Sequence, residues 1–403
     1  MTIVQKNLSK TFKAFFDSEK SSGIFLIICT VISLLLANST VGAYYLSIWH
    51  FQVAGLSVEQ WINDALMAVF FLLIGLELER ELYNGELSNF KNALLPIFAA
   101  MGGICLPALI HFVFNAGTTT QAGMGIPMAT DIAFALGVLA LLGPRVPASL
   151  KVFLTALAVM DDLGAIIVIA AFYTAQLSVA YLVGAVGVFG LLVVLNRFFR
   201  VTSLVPFLIG GALMWLLMLK SGVHATIAGV LLAFTIPFSA KEDDERSPSH
   251  RLEHFLHKPV ALLILPIFAL ANTGIVLGTG WAQHLTTPNS LGIMAGLILG
   301  KPLGIVLLSF VVVTIGVCRL PLDLNWRHVC GAGLLGGIGF TMSIFITNLA
   351  FTGNAEMISA SKIAILLSSL TAGTVGFLWL KLFGQPVASD ADTDTMDFQL
   401  PGG

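Results

Sequence analysis

The chain has 403 residues, 57% of them hydrophobic and only 10% charged, with a mean hydropathy of +0.93 and a formal net charge of −2. A soluble protein cannot hide that much apolar surface, so the composition points to an all-α polytopic protein surrounded by membrane lipid. The near-neutral charge gives no case for a nucleic-acid partner, and the four cysteines, at 29, 105, 318 and 330, lack metal-ligand spacing and read as packing residues.

In chain order, Lys6, Lys10, Lys13 and Lys20 precede an apolar stretch, Gly23 to Ala37. It resembles a signal peptide, but no small-x-small cleavage site follows, so it is read as an uncleaved first helix. Hydropathy gives about twelve spans. They run over roughly 22–38, 60–80, 93–115, 122–143, 149–174, 179–198, 204–219, 222–238, 254–275, 290–315, 328–350 and 357–382. All basic residues except Lys220, Lys301 and Lys362 fall at the termini or in loops that join even-numbered to odd-numbered spans. That asymmetry places both termini in the cytoplasm.

Between spans 1 and 2, Phe51–Val53 and Leu56–Val58 flank Ala54-Gly55. The segment reads either as a small β-hairpin or as an irregular loop. Two later spans are interrupted. Gly125–Gly137, in span 4, contains Pro127 and the charged Asp131, and Gly336–Phe345, in span 11, has three glycines in four positions. Gly and Pro free backbone groups that must then be satisfied by protein or water. Each break falls in the second span of a three-span block, spans 3–5 and 10–12. An offset of seven spans gives the blocks opposite topology. Matched breaks in an inverted repeat are the sequence pointer to a transport site, although membrane helices are richer in Gly and Pro in any case.

The strongest chemical signal is Asp161 beside Asp162, the only charges between Val152 and Phe172. Each charge at that depth costs roughly 2.5–3.5 kcal/mol on insertion scales. Adjacent carboxylates also repel, and such a pair persists where it handles a cation, a proton, or both. The alternative is an internal salt-bridge network without transport. Neighbours on a helix point about 100° apart, so the two acids cannot do identical jobs. A carboxylate with the Thr130 hydroxyl and freed carbonyls would suit a hard cation.

Three further groups lie within spans. Broken helices that cross present like dipole ends to each other, and an acid at one pair of ends with a base at the other would cancel them. Asp131 and Lys301 have the right signs. Otherwise Asp131 is a cap facing a polar loop, and Lys301 snorkels to an interface. His224, lone among small residues, reads first as a packing or hydrogen-bonding residue. Near the cytoplasmic ends of spans 2 and 9 stand Glu77, Glu79, Arg80 and Glu81, and Glu253, His254 and His257. These form either solvated helix ends or a titrating cluster that senses internal pH. The tail 388–403, with Asp390, Asp392, Asp394 and Asp397, reads as acidic and disordered.

The combination of Trp61–Leu82, Ala129–Gly143, Asp161-Asp162-Leu163-Gly164, Lys220–Gly229, Arg251–His257, Gly300–Gly304 and Gly337–Ile346 resembles the bacterial NhaA-type sodium/proton antiporters. The match runs in order over about residues 20–382. That family is itself a known inverted-repeat case. The resemblance implies a twelve-helix fold in which helices 4 and 11 are unwound and cross. It implies one transporter domain over 1–387, with a core bundle from about 93–174 and 290–382 and an interface bundle from the remaining helices. It makes Asp162 the main sodium-binding acid, with Asp161 as its neighbour pairing with Lys301 and Thr130 as a contributor. Asp131 then compensates the helix ends, and His224 is linked to the pH response. Glu77, Arg80, Glu81, Glu253, His254 and His257 match the pH-sensing region, and hairpin 51–58 the contact of a homodimer. The implied activity, without a cofactor, is electrogenic export of sodium or lithium against more than one proton across the bacterial inner membrane, rising with pH. Glu79 and His250 depart from the basic residues expected there and make the sensing cluster more acidic. The runner-up, a sodium-coupled solute carrier of similar architecture, would need a roomier pocket than the few polar residues at the breaks suggest. An intramembrane aspartyl protease would place its acids on two facing helices.

Overall fold

The computed structural model describes residues 10–85, 88, 90–173, 177–239, 247–278 and 281–385. The acidic tail 388–403, Lys6, Lys241 and Arg246 lie outside the described residues. Among those described, nine helices are long and apolar enough to cross a membrane. The number is eleven if two bent pairs each count as one span: Ser21–Ala37 with Gly42–His50, bent by 114°, and Trp326–Gly336 with Phe340–Ala350, bent by 45°.

The eighth span departs from the sequence reading. In place of a helix over 222–238 there is one of seven residues, Ile227–Ala233. Gly222, at φ 84°, ends the preceding helix Leu204–Ser221 in the left-handed conformation that glycine adopts without strain. His224 to Gly229 then run in tight turns, with the amides of Ile227, Ala228 and Gly229 each reaching back three residues. Hydropathy records only that this stretch is apolar.

The hairpin is present as β1 (Gln52–Val53) and β2 (Leu56–Ser57), antiparallel, with Gln52 opposite Ser57 and Val53 opposite Leu56. Ala54 and Gly55 both have positive φ, 51° and 85°, the geometry of a type I′ turn. Ser57 and Gln60 close a reciprocal cap at the start of the next helix, at 2.8 and 3.1 Å. The helix Gly42–His50, which leads into the hairpin, was not read from the sequence.

Burial separates the lipid-facing spans from the central ones. In Val179–Arg197 only Ala185 and Leu192 are buried, so it presents its apolar surface to lipid, whereas most of the interrupted span Gln121–Leu141 is buried. Spans 3 (Phe90–Asn115) and 10 (Pro288–Thr314) pack at their backbones. A Cβ on Gly102 would fall 2.0 Å from the Gly304 carbonyl oxygen, and one on Gly304 would fall 2.1 Å from that of Gly102. This reciprocal contact is what an inverted repeat produces where equivalent helices meet.

Beside that contact the two interrupted spans cross. The first is a tight helix, Gln121–Met128, then extended backbone, then Ile132–Leu141. The second is Trp326–Gly336, a bend, then Phe340–Ala350. The Asp131 amide donates to the Ile338 carbonyl at 2.7 Å, and Ser343 Oγ donates to the Ile126 carbonyl at 2.7 Å. Backbone freed by each break is therefore satisfied by the other span.

Candidate ion-binding site

Asp161 and Asp162 lie midway along the helix Ala148–Phe172, which passes the crossing. Asp161, Asp162, Thr130 and Lys301 are fully buried, and Asp131 is 2% exposed. Lys301 follows a π-helical turn, Gly296–Gly300, whose extra residue per turn resets which side chain faces inward. Its Nζ lies 2.7 Å from Asp161 Oδ2 and also donates to the carbonyl of Met128, the last residue of the first half-helix. A cation thus meets the negative helix end and a carboxylate together.

Asp131 does the converse. Its Oδ1 accepts from the Phe134 amide at 2.9 Å, and its Oδ2 accepts from the Thr341 amide at 3.0 Å and the Thr341 hydroxyl at 2.6 Å. One carboxylate therefore caps the N-termini of both second half-helices. Thr130 Oγ1 lies 2.6 Å from Asp161 Oδ2 and 2.9 Å from the Gly336 carbonyl; its single hydrogen serves one at a time.

Asp162 stands apart. Both carboxyl oxygens are buried, and among the described residues no donor reaches either. Asp161 Oδ1 is likewise without a donor. A buried ionised carboxylate with no donor is costly, so such a group holds a cation or a proton.

At the ends of spans 2 and 9 lies a second charged cluster. Arg80 donates to Glu253 Oε1 at 2.5 Å and to Glu81 Oε1 at 3.1 Å. Ser249 Oγ donates to Glu79 Oε2 at 3.2 Å, and His257 Nδ1 lies 3.9 Å from Glu77 Oε1. Glu77, Glu79 and Glu253 are each under a tenth exposed, which does not suit a merely solvated helix end. His254 lies on the exposed face of its helix. His224 is elsewhere, its Nε2 2.8 Å from the Tyr173 carbonyl at the far end of the Asp162 helix. Sequence reasoning missed Ser249; His250, which it named only as a departure from the family, has Nδ1 3.9 Å from Glu253 Oε2. It also left the buried Lys362 without a role; the only signal was that this lysine fits no cytoplasmic loop.

An inverted pair of interrupted spans that cross at buried, mutually compensating charges defines a secondary ion transporter. The profile of the Na+/H+ antiporter 1 family matches residues 13–380, and the chain belongs to that family of sodium/proton antiporters. It is 75% identical over 385 residues to the sodium/proton antiporter NhaA of Dechloromonas aromatica, covering 96% of this chain and 99% of the relative. It is 60% identical to NhaA of Flavobacterium psychrophilum (92% and 95% covered) and 47% identical to NhaA of Helicobacter pylori strain HPAG1 (93% and 95% covered).

Proposed function

We propose that the protein is an electrogenic antiporter of the bacterial inner membrane, with both termini cytoplasmic. It exports sodium or lithium in exchange for more than one proton. The observation that carries this reading is Asp162, a buried carboxyl that no donor among the described residues reaches at either oxygen. Sodium and protons occupy it in turn, with Asp161 and Thr130 as further ion contacts and Asp131 and Lys301 holding the helix ends. When sodium binds, Asp161 turns from Lys301 to the ion, and Lys301 is free to release a proton. Because protons and sodium compete for one acid, acidification blocks sodium entry and activity rises with pH. The repeat spans, about 93–174 and 290–382, act as the core bundle and the remaining helices as its interface bundle within one domain over 1–387. The solute-carrier alternative has less support. A hollow lined by Phe71, Ile166, Ile169, Thr226 and Ile227 measures about 160 Å³ with the open space at its mouth included, below the ~300 Å³ at which small-molecule pockets begin.

The test is sodium-induced dequenching of a pH dye in everted vesicles, repeated with lithium and with the membrane potential clamped. The expected result is proton movement for both ions that slows when the potential is clamped to zero. Proton movement that requires an added organic solute would favour the carrier.

The cytoplasmic cluster of Glu77, Arg80, Glu81, Glu253 and His257 adds a pH response of its own, since Glu77 and Glu253 are buried and Arg80 bridges Glu253 and Glu81, so a change in the charge of any one acid is felt by the others. His254 and His224 contribute from outside it. Glu253→Gln removes a carboxylate from Arg80 and should move the activity–pH profile even at saturating sodium. Identical profiles for the variant and the parent would leave competition at Asp162 as the whole explanation.

Hairpin 51–58 forms the contact of a homodimer. Its short exposed edge offers free backbone partners to a second copy, and a two-fold axis makes the contact self-complementary. Deleting Phe51–Val58 should give monomers in native mass spectrometry that still exchange ions, because each subunit carries a complete site. A persisting dimer would place the contact elsewhere.

A further inference from the structure

A second buried polar network lies toward the hairpin end of the bundle. Asn272, near the end of span 9, uses its whole carboxamide. Its Oδ1 accepts from Asn348 Nδ2 at 2.6 Å and from Lys362 Nζ at 3.5 Å, the limit of a hydrogen bond. Its Nδ2 donates to Asn63 Oδ1 at 2.8 Å and to the Phe268 carbonyl at 3.1 Å. Asn272 is 1% exposed and Lys362 7%. Among the described residues no ion pair includes Lys362.

The network crosses a boundary. Asn63 and Asn272 belong to spans 2 and 9, outside the inverted repeat, whereas Asn348 and Lys362 belong to spans 11 and 12, within it. Asn348 shares the half-helix Phe340–Ala350 with Thr341, which binds Asp131. Seven residues separate them, two turns, or about 10 Å. Ser361, beside Lys362, accepts from Asn289 Nδ2 at 2.8 Å, and Asn289 Oδ1 lies 3.2 Å from His111 Nε2. Lys362 is thereby tied to spans 3 and 10 and would move with them.

Apolar packing would seal this end at lower cost than three amides and a lysine, since a buried polar network is stabilising only when its members are satisfied. Its advantage is exchangeability: each group can trade its partner for water when the helices part. We propose that Asn272, with Asn63, Asn348 and Lys362, is a latch that closes the hairpin-side exit from the central ion site and must open in each transport cycle. The inference rests on the antiport reading above, in which the hairpin side is the outside. The buried ammonium of Lys362 also keeps sodium from settling in the closed latch.

The test uses the full chain in proteoliposomes with Cys29, Cys105, Cys318 and Cys330 replaced. Asn272→Cys and Asn348→Cys are introduced singly and together and treated with cadmium or a short thiol-bridging reagent. In the double variant, bridging should lower sodium/proton exchange by about ten-fold or more, reversed by a chelator or reductant, because a trapped state cannot repopulate the other. The single variants should not respond to the reagent. Sodium should still raise the melting temperature of the bridged protein. Unimpaired exchange in the bridged protein would overturn the latch. Absence of exchange before bridging in the cysteine-replaced parent would instead overturn the antiport reading. A second pair needs no bridge: Asn348→Asp supplies Lys362 with a carboxylate and should slow exchange, and adding Lys362→Met should restore it. Failure to slow, or failure to restore, would also count against the latch.

Discussion

Asp162→Asn should abolish sodium-dependent proton movement while leaving the protein folded and inserted. The substitution keeps the side-chain volume and removes the charge. Among the described residues no donor reaches Asp162, so no hydrogen bond is lost, and repulsion with Asp161 disappears. Removing one partner of a buried charge interaction typically costs about 3–5 kcal/mol. That corresponds to a loss on the order of 100-fold or more in sodium affinity. The melting temperature in detergent without sodium should be equal to or above that of the parent, and added sodium should no longer raise it. The measurements are exchange in proteoliposomes and sodium-dependent melting of the same preparation. Substantial exchange by the variant would remove Asp162 from the centre of the mechanism.

Lys301→Ala should have the largest effect on stability. The ammonium answers both Asp161 and the Met128 carbonyl in a site closed to water. Its removal leaves a buried carboxylate and a helix end uncompensated, at a cost of about 3–5 kcal/mol. A marked drop in melting temperature is expected, together with altered transport. Adding Asp161→Asn should recover part of the loss, because the double variant no longer buries an unpaired charge. A parental melting temperature for Lys301→Ala would mean the pair contributes nothing to the fold.

Much of the architecture was legible because its signals are chemical exceptions in an apolar background. Pro127 and the glycines at 336, 337 and 339 announce both breaks, since few residues leave a membrane helix so readily. Asp131, Asp161, Asp162 and Lys301 were legible for the same reason, and the helix-dipole argument matched the signs of Asp131 and Lys301 to the helix ends. The short eighth span was not legible, because hydropathy does not report that Gly222 adopts a left-handed conformation. Nor was Gly42–His50, whose Tyr, Ile and Trp residues favour strands as readily as helices. Sequence adjacency does not report that Glu253 is buried against Arg80 while the next residue, His254, is exposed. The Asn63, Asn272 and Asn348 network left no trace, since each asparagine sits alone in its own span and only the packing of spans 2, 9, 11 and 12 joins them.

The central claim is that sodium and protons exclude one another at Asp162. Its most direct test is the number of protons released when sodium is added to the purified protein in weakly buffered detergent solution. The account predicts prompt acidification that saturates with sodium, grows smaller as the starting pH rises, and is absent in Asp162→Asn. Sodium binding by the parent protein with no proton release at any pH would contradict it.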